Sequence, residues 1–156
     1  MMRLWDFCEQ FYSDKRVELL CLDLQNRYQA NVSLVLWLCW LAKMECFVSS
    51  QLFEQAKSLS LSFHESYIAP VRTLRKNAQV KSFNHAPSII KHLLSAEITL
   101  ERELLELFEA QFSKYLARTP APNTYGLNDY LLSCQVVDSE SAAQFLYAGA
   151  KSINRV

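Results

Sequence analysis

Apolar residues recur at three- and four-residue intervals along most of the chain, and no stretch holds a clean two-residue alternation for long. The dominant period is that of an α-helix. It predicts helices over 3–12, 15–29, 32–46, 51–81 and 87–118, then two short ones over 127–137 and 140–151. Glycine is absent from Met1 through Tyr125, which argues against a sheet protein with tight hairpins. The expected fold is all-α: a single-domain helical bundle of about six to eight helices around one central apolar helix. Residues 1–118 form the expected main bundle, 119–124 a proline-containing linker, and 125–156 short helices packed on the same domain.

The central helix is the one holding Leu34, Leu36, Trp37, Leu38, Trp40 and Leu41, which is apolar nearly all round and so belongs inside a ring of amphipathic neighbours. Ser13-Asp14, Asn31 and Ser49 or Ser50 are N-cap candidates, because their side-chain oxygens accept from amides of the first turn. Pro87 suits a helix start. Pro70 interrupts a helical pattern and should kink or split it. Thr119 to Asn123, with two prolines, stops the long helix.

Composition narrows the function classes. Sixteen Lys plus Arg balance sixteen Asp plus Glu, which argues against a polybasic nucleic-acid binder. The eleven-residue apolar run 32–42 covers roughly half a bilayer core, so no membrane span is expected. Residues 1–10 hold Arg3, Asp6 and Glu9 and no apolar core of a signal peptide. The five cysteines have no C-x-x-C spacing and lie mostly among apolar neighbours, as reduced core thiols do. These features together predict a cytoplasmic protein.

Charge is balanced globally but not locally. Five bases (Arg72, Arg75, Lys76, Lys81, Lys91) and no acid occur between Ser66 and Ala96, with His64, His85 and His92 in or beside that stretch. Five acids against Arg102 follow between Glu97 and Glu109. On the long helix, Ile89, Ile90, Leu93, Leu94, Leu100, Leu104, Leu107, Phe108 and Tyr115 trace a broad apolar arc. Glu97 and Glu101 fall inside it, one turn apart. A lone carboxylate there would suffer desolvation of several kcal/mol, so it needs a partner. The preceding helix has an apolar stripe of Phe53, Ala56, Phe63, Tyr67, Val71, Leu74 and Ala78, bordered by His64 and Arg75 with Arg72 further round. Antiparallel packing would bring the guanidinium groups to the carboxylates. The resulting set reads first as a structural ion-pair network, with a polar binding pocket as the alternative.

No E-x-x-H pair supports a di-iron bundle, and position 68 denies His64-Glu65 an H-E-x-x-H zinc helix. No metal and no cofactor is expected. With Gly126 and Gly149 as the only glycines there is no phosphate-binding loop. Trp5, Trp37 and Trp40 read as core packing before any aromatic ligand box.

Several spaced motifs carry a resemblance: Leu4-Trp5-Asp6-Phe7, Cys21 to Gln25, Asn31-Val32 leading to Leu36 through Trp40, Pro70 through Lys76, and Ala96-Glu97 with Glu101-Arg102. In this order they resemble a family of small proteobacterial proteins, a domain of unknown function, over about residues 4–115. The resemblance implies a bacterial, cytoplasmic helical protein and brings no reaction, ligand or partner.

The functional expectation is a non-enzymatic binding or adaptor protein. Arg72, Arg75, Lys76 and Lys81 would meet an acidic protein or a phosphate-bearing ligand, with the two arginines as anion contacts oriented by Glu97 and Glu101. The competing expectation is a small ligand-binding protein or acid/base enzyme with an interior pocket lined by Trp37, Trp40 and His64, in which Glu97 or Glu101 carries a raised pKa. The third is a purely architectural network.

Overall fold

The computed structural model describes residues 1–81 and 83–154. The chain runs through α1 (Leu4–Tyr12), α2 (Lys15–Tyr28), α3 (Val32–Lys43), β1 (Val48–Ser49) and α4 (Ser50–Phe63). A π-helical turn (His64–Ile68) leads into α5 (Ala69–Val80). Then come α6 (Ala86–Phe112), a 3-10 turn (Ser113–Tyr115), β2 (Thr124–Tyr125), α7 (Leu127–Ser133) and α8 (Ser139–Ser152). The fold is all-α apart from the two-residue ribbon β1–β2.

The caps explain where the early helices begin. Asp14 accepts from the amide of Arg16, Asn31 from that of Leu34 and Ser49 from that of Leu52, each satisfying a donor with no partner inside its helix. Helix ends manage without glycine. Glu45 and Gln135 adopt left-handed backbone, with φ of 53° and 61°. The amides of Cys46 and Val136 then reach back to the carbonyls of Leu41 and Leu131, the closing pattern usually given to glycine. For that reason α3 stops at Lys43, short of the expected 46, and α7 stops at Ser133, short of 137.

The helix α3 is the centre of the fold. Every residue from Leu34 to Leu41 is buried, and α1, α2, α4, α6, α7 and α8 all pack on it. The core continues through Leu4, Phe7, Phe11, Phe53, Leu104, Phe108, Leu127, Leu131 and Leu146. Trp37 packs against Phe108 and Phe112, with ring centroids 5.4 and 5.8 Å apart.

Two segments depart from the expected layout. The long helix ends at Phe112, not 118, because the chain turns to pair with a distant strand. Phe47 and Ala117 exchange backbone hydrogen bonds, the amide of Ser50 donates to the carbonyl of Asn123, and Val48 and Ser49 pair antiparallel with Tyr125 and Thr124. The strands are too short to show a two-residue pattern. The second departure concerns α6 itself. Its C-terminal half is buried at Leu104, Leu105, Phe108 and Phe112, but Ile89 and Leu94 are exposed, as is Tyr115 beyond it. On the preceding helices Tyr67 and Leu74, expected in the buried stripe, are exposed too.

The reason is that α5 and the N-terminal half of α6 form an antiparallel hairpin that leaves the bundle. Among the described residues between Ile68 and Leu100, none joins the main apolar cluster. Ala78 and Ala86 are buried within the hairpin instead. The hairpin starts at the π-helical turn. Pro70 follows that turn at the second position of α5, where its missing donor is tolerated, and both a proline and a π-turn are sites at which a helix bends.

Candidate functional site

Where the hairpin joins the bundle, α5 contributes Arg72 and Arg75, one turn apart, and α6 contributes Glu97 and Glu101, also one turn apart. Glu97 lies midway across the hairpin interface, flanked at helical spacing by Leu93 and Ile90 before it and Leu104 after it. The residue is only 4% exposed. Arg75 grips it with two donors, Nε to Oε2 at 2.7 Å and Nη2 to Oε1 at 3.3 Å. Arg72 donates from Nε to Glu97 Oε1 at 2.6 Å and from Nη2 to Glu101 Oε1 at 3.2 Å. Two guanidinium groups and two carboxylates thus form one neutral cluster, with the arginine side chains 21% and 18% exposed.

The two carboxylates differ in kind. Burial pushes Glu97 upward, but the hydrogen bonds from Arg75 and Arg72 and their charges outweigh it, so its pKa lies below the ordinary value. Glu101 goes the other way: loss of hydration and the charge of Glu97 exceed what Arg72 returns, and its pKa is raised. Its side chain remains 40% exposed, so Glu101 sits at the margin of the cluster and not fully inside the arc as expected. Arg75 is raised, chiefly by its hydrogen bond to Glu97.

The remaining predicted residues separate into two groups. His64 is half-buried in the π-helical turn. Burial, followed by the charge of Arg72, lowers its pKa, which favours the neutral ring. Lys76 and Lys81 are exposed on the hairpin. Trp37 and Trp40 are not with them. Both are fully buried in the bundle, where Trp37 packs at a tilt against Phe108 and Phe112 and Trp40 donates from its indole nitrogen to the carbonyl of Met2 at 3.1 Å. The structure therefore brings Arg72, Arg75, Glu97 and Glu101 together, sets Lys76 beside them, and leaves the tryptophans to the core.

A cleft of about 590 Å3 opens elsewhere, between the end of α3, the β ribbon and α8, lined among others by Leu41, Cys46, Tyr125, Tyr147 and Lys151. Arg118 donates to the Cys46 sulfur at 2.9 Å beside it. Nothing local in the sequence marks this cleft, since it depends on 117–125 returning to 47–50. None of the residues of the ion-paired cluster lines it. Among the described residues no group of three or more His, Cys, Asp or Glu is placed to hold a metal, and no helix is long and apolar enough to cross a membrane.

A family model described as "Protein of unknown function (DUF2390)" matches residues 3–108. The chain belongs to this family. The matched region takes in the whole hairpin and its ion-paired cluster and stops inside α6, leaving α7 and α8 outside. No curated protein and no solved structure matches the chain.

The sequence reading missed the exposed apolar residues of the hairpin. Leu94 and Ile98 are 44% and 46% exposed and lie on the same side of α6 as Glu101. The missing signal was the reach of the bundle: a helix wheel shows which side of α6 is apolar, not how much of its length finds a partner.

Proposed function

We propose that this protein is a non-enzymatic binding or adaptor protein whose docking element is the α5–α6 hairpin, and that its partner is an acidic protein segment. The observation that carries this reading is the pairing of exposed apolar and cationic side chains on an element outside the core. Leu94 and Ile98 on α6 fall on the ion-paired edge, and helical spacing sets Lys76 of α5 and Lys91 of α6 on its outer sides. Lys76 and Lys91 are exposed there and Lys81 is exposed at the end of α5, none with an ion pair among the described residues, and no acid lies between Ser66 and Ala96.

The arginines take a different role from the one expected of them. Two nitrogens of each, Nε and Nη2, already donate to Glu97 or Glu101, so in this reading they hold the hairpin in shape and the anion contacts pass to the lysines. A phosphate-bearing ligand fits less well, because it needs several donors converging on one point, whereas apolar side chains between spaced lysines suit an acidic amphipathic helix. Cytoplasmic residence belongs to the same proposal.

The test is fluorescence anisotropy with a labelled amphipathic helical peptide of leucine and glutamate. Binding should weaken as salt rises, and roughly tenfold, about 1.4 kcal/mol, in the variant Lys76→Glu/Lys91→Glu. Equal binding by that variant, or binding to phosphatidylserine vesicles with none to the peptide, would overturn the reading.

A further inference from the structure

The opposite edge of the hairpin carries a different surface. Ile89, Leu93, Ala96 and Leu100 follow one another at spacings of four, three and four residues, the seam of a helix that packs on another helix. Glu103 continues the seam three residues on. Ile89 and Ala96 are exposed, Leu93 is half-buried and Leu100 is half-buried against the margin of the bundle core, so the seam from Ile89 to Ala96 is largely unpartnered. The ion pairs fix which edge this is. Arg72 reaches Glu101, which lies to one side of Glu97 on α6, and the seam lies to the other side. On α5, Leu74 falls across Ala78 from Arg75 and Arg72, and it too is exposed.

We propose that this edge is a self-association surface, on which two copies of the chain pair their α6 helices antiparallel about a twofold axis near Ala96. Charge complementarity selects a second copy. The end of the hairpin holding Lys81, His85 and His92 contains no acid, whereas the seam runs the other way into Glu103, with Glu106 and Glu109 beyond it already paired to Arg102 and Arg3. Antiparallel pairing sets the basic end of each copy against Glu103 of the other; parallel pairing would set like against like. Balanced total charge leaves no net repulsion between copies. A twofold contact needs a self-complementary patch, and the seam supplies one: Leu93 meets Leu100 of the other copy across a small Ala96, which lets the helices approach closely. Leu74 adds a flank on each side, turning two hairpins into a four-helix layer. This surface is separate from the lysine-bearing edge, so the dimer stands or falls independently of the adaptor reading.

Sedimentation equilibrium of the full chain between about 1 and 100 μM, the range in which modest interfaces associate, tests the proposal. The expected result is a monomer–dimer equilibrium that shifts towards monomer as salt rises. Ala96→Glu should raise the dissociation constant about a hundredfold, by setting two like charges together at the axis. Leu94→Glu, on the other edge, should leave it unchanged. Ala96 is solvent-exposed, so its replacement spares the core, and circular dichroism verifies that. In a second arm, Ala96→Cys treated with the thiol oxidant diamide should give a covalent dimer in excess of wild type. A wild-type chain that stays monomeric at 100 μM, a dimer that survives Ala96→Glu, equal loss in Leu94→Glu, or no excess cross-linking through position 96 would each overturn it.

Discussion

The two halves of α6 are held by different physics. From Leu104 to Phe112 the helix lies against α1, α3 and α4, and its inward positions are leucine and phenylalanine packed on Trp37. From Ala86 to Glu97 its packing partner is α5, and only one alanine and one glutamate, Ala86 and Glu97, are buried. Apolar burial is non-directional and grows with area, so the C-terminal half tolerates many partners in the core. A carboxylate held by two guanidinium groups is directional. Breaking it leaves charge stranded, while its net contribution over a well-packed apolar contact is small. The hairpin is thus specified more than it is stabilised.

The contrast is sharpest if each half is broken in turn. Trp37→Ala should cost about 3–5 kcal/mol of global stability, the range for removing a large buried aromatic, seen as one lowered cooperative thermal transition. Glu97→Ala should cost about 3 kcal/mol, near the lower end for a broken buried pair because Arg72 and Arg75 retain some access to water. Its effect should be local. Hydrogen exchange should quicken across 69–100 while α3 and α8 keep their protection. A uniform loss over the whole chain would show that the hairpin and the bundle unfold as one unit.

A smaller effect separates the two carboxylates by sign. Glu97, with a depressed pKa, stabilises the folded hairpin above the ordinary value of 4.5, and this contribution is lost as pH falls through the depressed value. Glu101, with a raised pKa, is unfavourable when charged in the folded state, and falling pH relieves that as its proton is taken up. Protection factors in the hairpin should therefore hold level or rise slightly as pH drops from neutrality towards the raised value, then fall below 4.5. Glu101→Gln should abolish the early rise and keep the later fall. The opposite pattern, with the fall removed by Glu101→Gln, would exchange the roles of the two groups.

Much of this arrangement was legible in the residues. The eight-residue apolar run of α3 marked the centre, the side chains of Asp14, Asn31 and Ser49 marked helix starts, and the position of Glu97 among leucines and isoleucines called for cationic partners on the helix before it. These are local consequences of a period of 3.6 residues and of the cost of burying charge, and both can be read without knowing the fold. Other features came only with the tertiary structure. Whether a stretch of the apolar arc is covered depends on how far the bundle extends along α6, so Ile89 and Leu94 are exposed although they match Leu104 and Phe108 in character. The β1–β2 pairing joins residues more than seventy positions apart through strands too short to leave a periodic trace. Local periodicity determined the helices and the need for the ion pairs; long-range packing decided where the core ends and which edges of the hairpin face water.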